Sequence, residues 1–143
     1  MLASATTTLL RCLVAAALVL TLVSICSAPL AFAGVSFNTI DPVAIVTDNG
    51  SQIIVTGPIT CTKRQRAFLR VRVTQRATGA VATGRTRLLC TGEAQHWAVQ
   101  AAIHGDAPFQ EGQATAVAFG RTFLREDSTD AHQWLVDIAL RRE

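Results

Sequence analysis

Hydrophobic and polar positions follow two different rhythms along this 143-residue chain. The first is a solid apolar run from Cys12 to Cys26, broken only by Thr21 and Ser24. The second begins after Gly34 and is an alternation of period two, with no sustained helical period. Val43 to Thr47 reads as a strand closed by Asp48-Asn49-Gly50, a strong turn signal. Ile53, Val55, Gly57, Ile59 and Cys61 then share one face, and Gly57-Pro58 inside that run points to a bulge or an edge position. Leu69, Val71 and Val73 alternate with Arg70, Arg72 and Thr74. After a turn at Ala77-Thr78-Gly79, Thr86, Leu88 and Cys90 alternate with Arg85, Arg87 and Leu89.

Beyond Thr91-Gly92 the pattern continues, with Trp97, Val99, Ala101 and Ile103 on one face. His104 to Gly112 reads as a loop, punctuated by Gly105, Pro108 and Gly112. Thr115, Val117, Phe119 and Phe123 alternate with Ala114, Ala116, Ala118 and Gly120. Small side chains facing outward would permit close approach of a ligand; packing that thins one layer is the preferred reading. Glu126 to Ala131 reads as a polar loop, and Trp134, Val136, Ile138 and Leu140 as the last strand. About seven short antiparallel strands with turns every 8–12 residues predict an all-β domain, a β-sandwich.

The apolar run carries the compartment. Arg11 is the one charged residue before Gly34, and Ala31-Phe32-Ala33 follows Pro29. A positive start, a short apolar stretch and a small-x-small site make residues 1–33 a signal peptide cleaved after Ala33, leaving a single domain over 34–143. The run is shorter than the roughly 20 apolar residues that span a bilayer, so no membrane span is expected after processing. Arg11 stands alone, which argues against a twin-arginine signal, and Ile25 before Cys26 argues against lipidation. The predicted destination is therefore secreted, extracellular.

Removing that segment leaves two of the four cysteines, Cys61 and Cys90, both on apolar faces of their strands. An exported domain with an even cysteine count is expected to oxidise them to a disulfide. The charge changes less. Of 13 basic residues Arg11 is lost, leaving 12 against 10 acidic, near +2. That balance gives no reason to expect nucleic acid as a partner.

The order Gly57, Cys61, a strand ending near Gln75, Cys90-Thr91-Gly92, Trp97, then Gly112-x-Ala114 resembles small secreted immunoglobulin-like proteins of high-GC Gram-positive bacteria. The likeness covers nearly all of the segment after the signal peptide. It implies an immunoglobulin-like sandwich, and its motifs are structural ones: a disulfide, a core tryptophan, turn glycines. A more distant likeness is to the chromoprotein carriers of the neocarzinostatin type, which hold two disulfides where this chain has cysteines for one.

Candidate chemistry is sparse. Nucleophilic catalysis needs a nucleophile, a base and an orienting group, and no Gly-x-Ser-x-Gly elbow is present. His96, His104 and His132 lack partners at a diagnostic spacing and read as surface or structural histidines. Glu126 to His132 gathers four potential ligands, but it lacks the glycine and spacing of a calcium loop, so no metal or other cofactor is expected. The chain is accordingly read as non-enzymatic.

The arginines are more informative. With a hairpin centred on Thr78-Gly79, Arg70 would face Arg87 and Arg72 would face Arg85, opposite the core. Like charges directly opposite in a sheet cost stability, whereas guanidinium forks bind phosphate or carboxylate. Arg70, Arg72, Arg85 and Arg87 are the candidate anion-binding face. A solvated, edge-protecting surface is the plainer account. The expected function is a secreted binding or adhesion module whose partner is an anionic polysaccharide or other envelope polymer. The alternative is a carrier holding a small apolar ligand in a cleft between sheets; a hydrolase ranks last.

Overall fold

A computed structural model describes residues 39–143. The segment read as a signal peptide lies outside the described residues. Seven strands form the domain: β1 (Val43–Thr47), β2 (Gln52–Ile59), β3 (Arg66–Gln75), β4 (Ala80–Leu89), β5 (Gln95–Ile103), β6 (Gly112–Leu124) and β7 (Asp127–Arg142). Their order is β1-β2-β5-β4-β3-β6-β7, closing back on β1 like a barrel. The strands thus form one closed sheet where two separate sheets were expected. Six contacts are antiparallel, but β1 and β7 pair in parallel, from Val43 opposite Ala139 to Val46 opposite Arg142, which departs from an all-antiparallel set.

Closure depends on short seams. β4 and β5 pair only at Ala82–Ile103 and Thr83–Ala102. Beyond them Gly84 lies so near β5 that a Cβ there would sit 2.5 Å from the Gln100 carbonyl oxygen. At the other end of β4 the two strands part, and the Cys61–Cys90 disulfide ties the region after β2 to the end of β4 (Cα–Cα 5.4 Å). Both cysteines are buried, as their alternation predicts. Loop 61–65 is held there by backbone bonds, Cys90 N–H donating to the Gln65 carbonyl and Arg64 N–H to that of Cys90.

The interior is filled by the apolar face of every strand, including Ile53, Val55, Leu69, Val71, Val99 and Ile138. Phe109, from the β5–β6 loop, is fully buried and packs into one end. Its backbone N–H bonds to Gly50, and the buried Gln75 side chain clasps the backbone of Gln110 with two bonds of 2.9 Å. The small residues Ala114, Ala116 and Ala118 face inward. A Cβ on Gly120 would lie 3.1 Å from the Trp134 ring, so small side chains on β6 make room for large ones on β7. Pro58 pairs in register with His96 on β5; on the other side of β2 the ladder to β1 covers only Gln52 to Ile54, and past its end the Asp41 N–H donates to the Thr56 carbonyl beside Gly57-Pro58.

Two local expectations need correction. The β3–β4 hairpin turns through four residues, Arg76 to Gly79, with Gln75 opposite Ala80, instead of the two residues Thr78-Gly79. A two-residue turn of the favoured type would place the β-branched Thr78 at positive φ; only Gly79 adopts it (φ 75°). The Thr78 hydroxyl instead donates to Gln75 and accepts from the Ala80 N–H. Secondly, Glu126 to Ala131 is not a loop: β7 starts at Asp127, after a tight Arg125-Glu126 turn with Arg125 at φ 59°.

Candidate anion-binding face

The corrected hairpin keeps every side chain on its predicted face but changes who meets whom. Arg70 now faces Arg85, Arg72 faces Thr83, and Arg87 faces Phe68. One directly opposed arginine pair remains where two were expected. All four predicted arginines, Arg70, Arg72, Arg85 and Arg87, are exposed on the outer face of β3 and β4.

β6 extends that face. Its ladder with β3 places Phe123 beside Arg66, Arg121 beside Phe68, Phe119 beside Arg70 and Val117 beside Arg72. Read across β4, β3 and β6, the outer rows are Leu89–Arg66–Phe123, Arg87–Phe68–Arg121 and Arg85–Arg70–Phe119. Arginines and phenylalanines thus interleave. The Arg87 guanidinium lies over the Phe68 ring at 5.6 Å from its centre, and that of Arg121 over Phe119 at 5.2 Å. Such cation–π contacts contribute about 0.5–1 kcal/mol at exposed sites and hold the cations upright over half-buried rings.

At the Cys90 end these rows line an open groove of about 800 Å³. Phe68, Phe119 and Phe123 contribute its rings; Arg66, Arg87, Arg121 and Arg125 its charge; among the described residues no carboxylate lines it. None of these arginines is ion-paired with a carboxylate among the described residues. Leu89, at the rim, is 62% exposed. The space between facing strands is occupied by the core, so this concavity lies outside the sheet, not in a cleft within it.

The remaining candidates lie elsewhere. His96 and His104 are exposed, and His132 sits 2.9 Å from Asp130 at the start of β7. Glu126 lies in the β6–β7 turn and Asp127 opens β7, and no group of three metal-ligating side chains occurs among the described residues.

Arg66, Arg121, Arg125 and the three phenylalanines were not singled out from the sequence. Alternation along β6 would have put Phe119, Arg121 and Phe123 on one face, but it does not say that β6 lies beside β3. No protein-family model matches the chain, and no curated protein matches it.

Proposed function

We propose that this chain is an exported, non-enzymatic binding module that holds an anionic partner on the outer face of β4, β3 and β6. One observation carries the reading. Six arginines (66, 70, 72, 85, 87 and 121) share that face, and among the described residues no carboxylate is paired to them. Uncompensated cations in neighbouring rows repel one another and gain from a ligand that bridges them. The partner class is an anionic polysaccharide or other polymer of the cell envelope, in keeping with the signal-peptide reading of residues 1–33. One face of each of the Phe68 and Phe119 rings is covered by the chain's own guanidinium group. Cations rather than bare stacking platforms therefore meet the partner, which favours phosphate, sulfate or carboxylate over nucleic-acid bases.

The same proposal extends to the fold. With two pairs joining β4 to β5 and four parallel pairs joining β1 to β7, the closed order reads as two facing layers, β1-β2-β5 and β4-β3-β6-β7. This layering supports the reading of an immunoglobulin-like sandwich, with β4 placed beside β3.

The direct test is dextran sulfate binding by the wild type and by an Arg87→Gln/Arg121→Gln double variant, followed through a salt titration. Wild-type affinity is expected to fall steeply with salt, and the variant to bind at least tenfold more weakly at low salt with a shallower slope. A folded double variant with wild-type affinity and slope would remove the reading.

A further inference from the structure

We propose that the groove at the Cys90 end of this face binds a single amphipathic organic anion: a phosphate or carboxylate carried on an extended hydrocarbon chain. The inference rests on the anion-binding reading above and adds a small-molecule ligand at one end of that face. Charge alone does not explain the composition of the groove. Arginines run along the whole face, from Arg72 beside Thr83 to Arg66 beside Leu89, whereas Phe68, Phe119 and Phe123 gather at one end. A hydrated polyanion would use the guanidinium groups and leave the apolar bed unfilled.

The bed is also unfinished as protein surface. Leu89 stands 62% exposed at its rim. Apolar surface of this kind is stabilised when a ligand removes it from water, by about 25 cal/mol per Å². A hydrocarbon chain lying across Phe123 and Leu89, past the edge of the Phe68 ring, would do so. Its anionic head would meet Arg121 or Arg87, each already positioned over a ring. The shape commits the occupant to one molecule. A concavity of about 800 Å³ falls within the range of small-molecule sites, whereas a bilayer surface would call for a convex or flat patch.

The test uses calorimetric titration of the purified protein with octyl, decyl and dodecyl phosphate below their micellar concentrations. Inorganic phosphate, the neutral amphiphile octyl glucoside, dextran sulfate and phosphatidylglycerol vesicles complete the set. Affinity for the alkyl phosphates is expected to rise roughly two- to fourfold per added methylene. Inorganic phosphate and octyl glucoside should each bind at least tenfold more weakly than octyl phosphate. Leu89→Ser, at an exposed position, should weaken dodecyl phosphate three- to tenfold and leave dextran sulfate unchanged; Arg121→Gln should weaken both. Alkyl phosphates that bind with no dependence on chain length, beside normal dextran sulfate binding, would overturn the inference and leave the anion-binding face intact. Binding to vesicles without binding to monomeric amphiphile, or equal binding of octyl glucoside, would also overturn it. Failure of every anion to bind would remove both readings together.

Discussion

Trp97 is buried over a backbone position that carries no side chain. A Cβ on Gly57 would lie 2.2 Å from the Thr39 carbonyl oxygen and 2.7 Å from the Trp97 ring, so the glycine is required by space, not by its φ. Gly57→Ala is expected to lower stability by about 1–3 kcal/mol, read as a fall in the urea midpoint with little change in slope. Gln75 makes a polar counterpart. Its amide satisfies both the N–H and the C=O of Gln110 and accepts from Thr78, so one buried side chain fixes the hairpin turn and the Phe109 loop together. Gln75→Leu leaves those backbone groups without partners and should cost about 1–3 kcal/mol, with amide exchange rising first around residues 104–111. On the outer face Arg70 and Arg85 are the directly opposed like charges. Arg85→Thr removes that repulsion in favour of a good strand former, so the thermal midpoint should stay equal or rise slightly.

At the level of elements, the disulfide and the seams share one task. Backbone pairing joins β4 to β5 over two positions, and the covalent link lies at the end where the strands have separated. With the cysteines 29 positions apart in sequence, the chain-entropy contribution is about 3–4 kcal/mol. A Cys61→Ala/Cys90→Ala variant should lose about that much in equilibrium unfolding and show early exchange along β4 beyond Gly84. The β6–β7 turn is a second element held against local preference. Arg125 occupies the left-handed region, which costs a non-glycine residue about 1–2 kcal/mol, in a two-residue turn that usually carries glycine. Arg125→Gly should therefore raise the thermal midpoint slightly while weakening alkyl phosphate binding at the adjoining groove. A midpoint that falls would mean that the arginine side chain holds the turn.

Over the whole molecule, a net charge near +2 for residues 34–143 conceals a strongly one-sided distribution. Six of the twelve basic residues lie on β3, β4 and β6, and none of the ten acidic residues does. Mass spectrometry of exported protein should find Gly34 at the N-terminus; intact Met1 in a membrane fraction would speak for an anchor. Much of the architecture was legible because period-two alternation is a local property. It assigned Leu69, Val71 and Val73 to the core, Arg70, Arg72, Arg85 and Arg87 to the outer surface, and both cysteines to the interior. Wherever a neighbour had to be known, alternation was silent. A hairpin register that slips by two keeps every face and changes every partner, which is why the facing of Arg87 moved from Arg70 to Phe68. The pairing of β3 with β6 spans some 50 residues of chain, and nothing in either strand names the other. The sequence by itself determined strand faces and the burial of both cysteines, because each follows from local hydrophobic spacing. Only the tertiary structure decided the closed order, the burial of Phe109 and Gln75, and the interleaving of Arg66, Arg87 and Arg121 with three phenylalanines. Each of those depends on which distant backbone lies alongside, and that is settled by packing of the whole core.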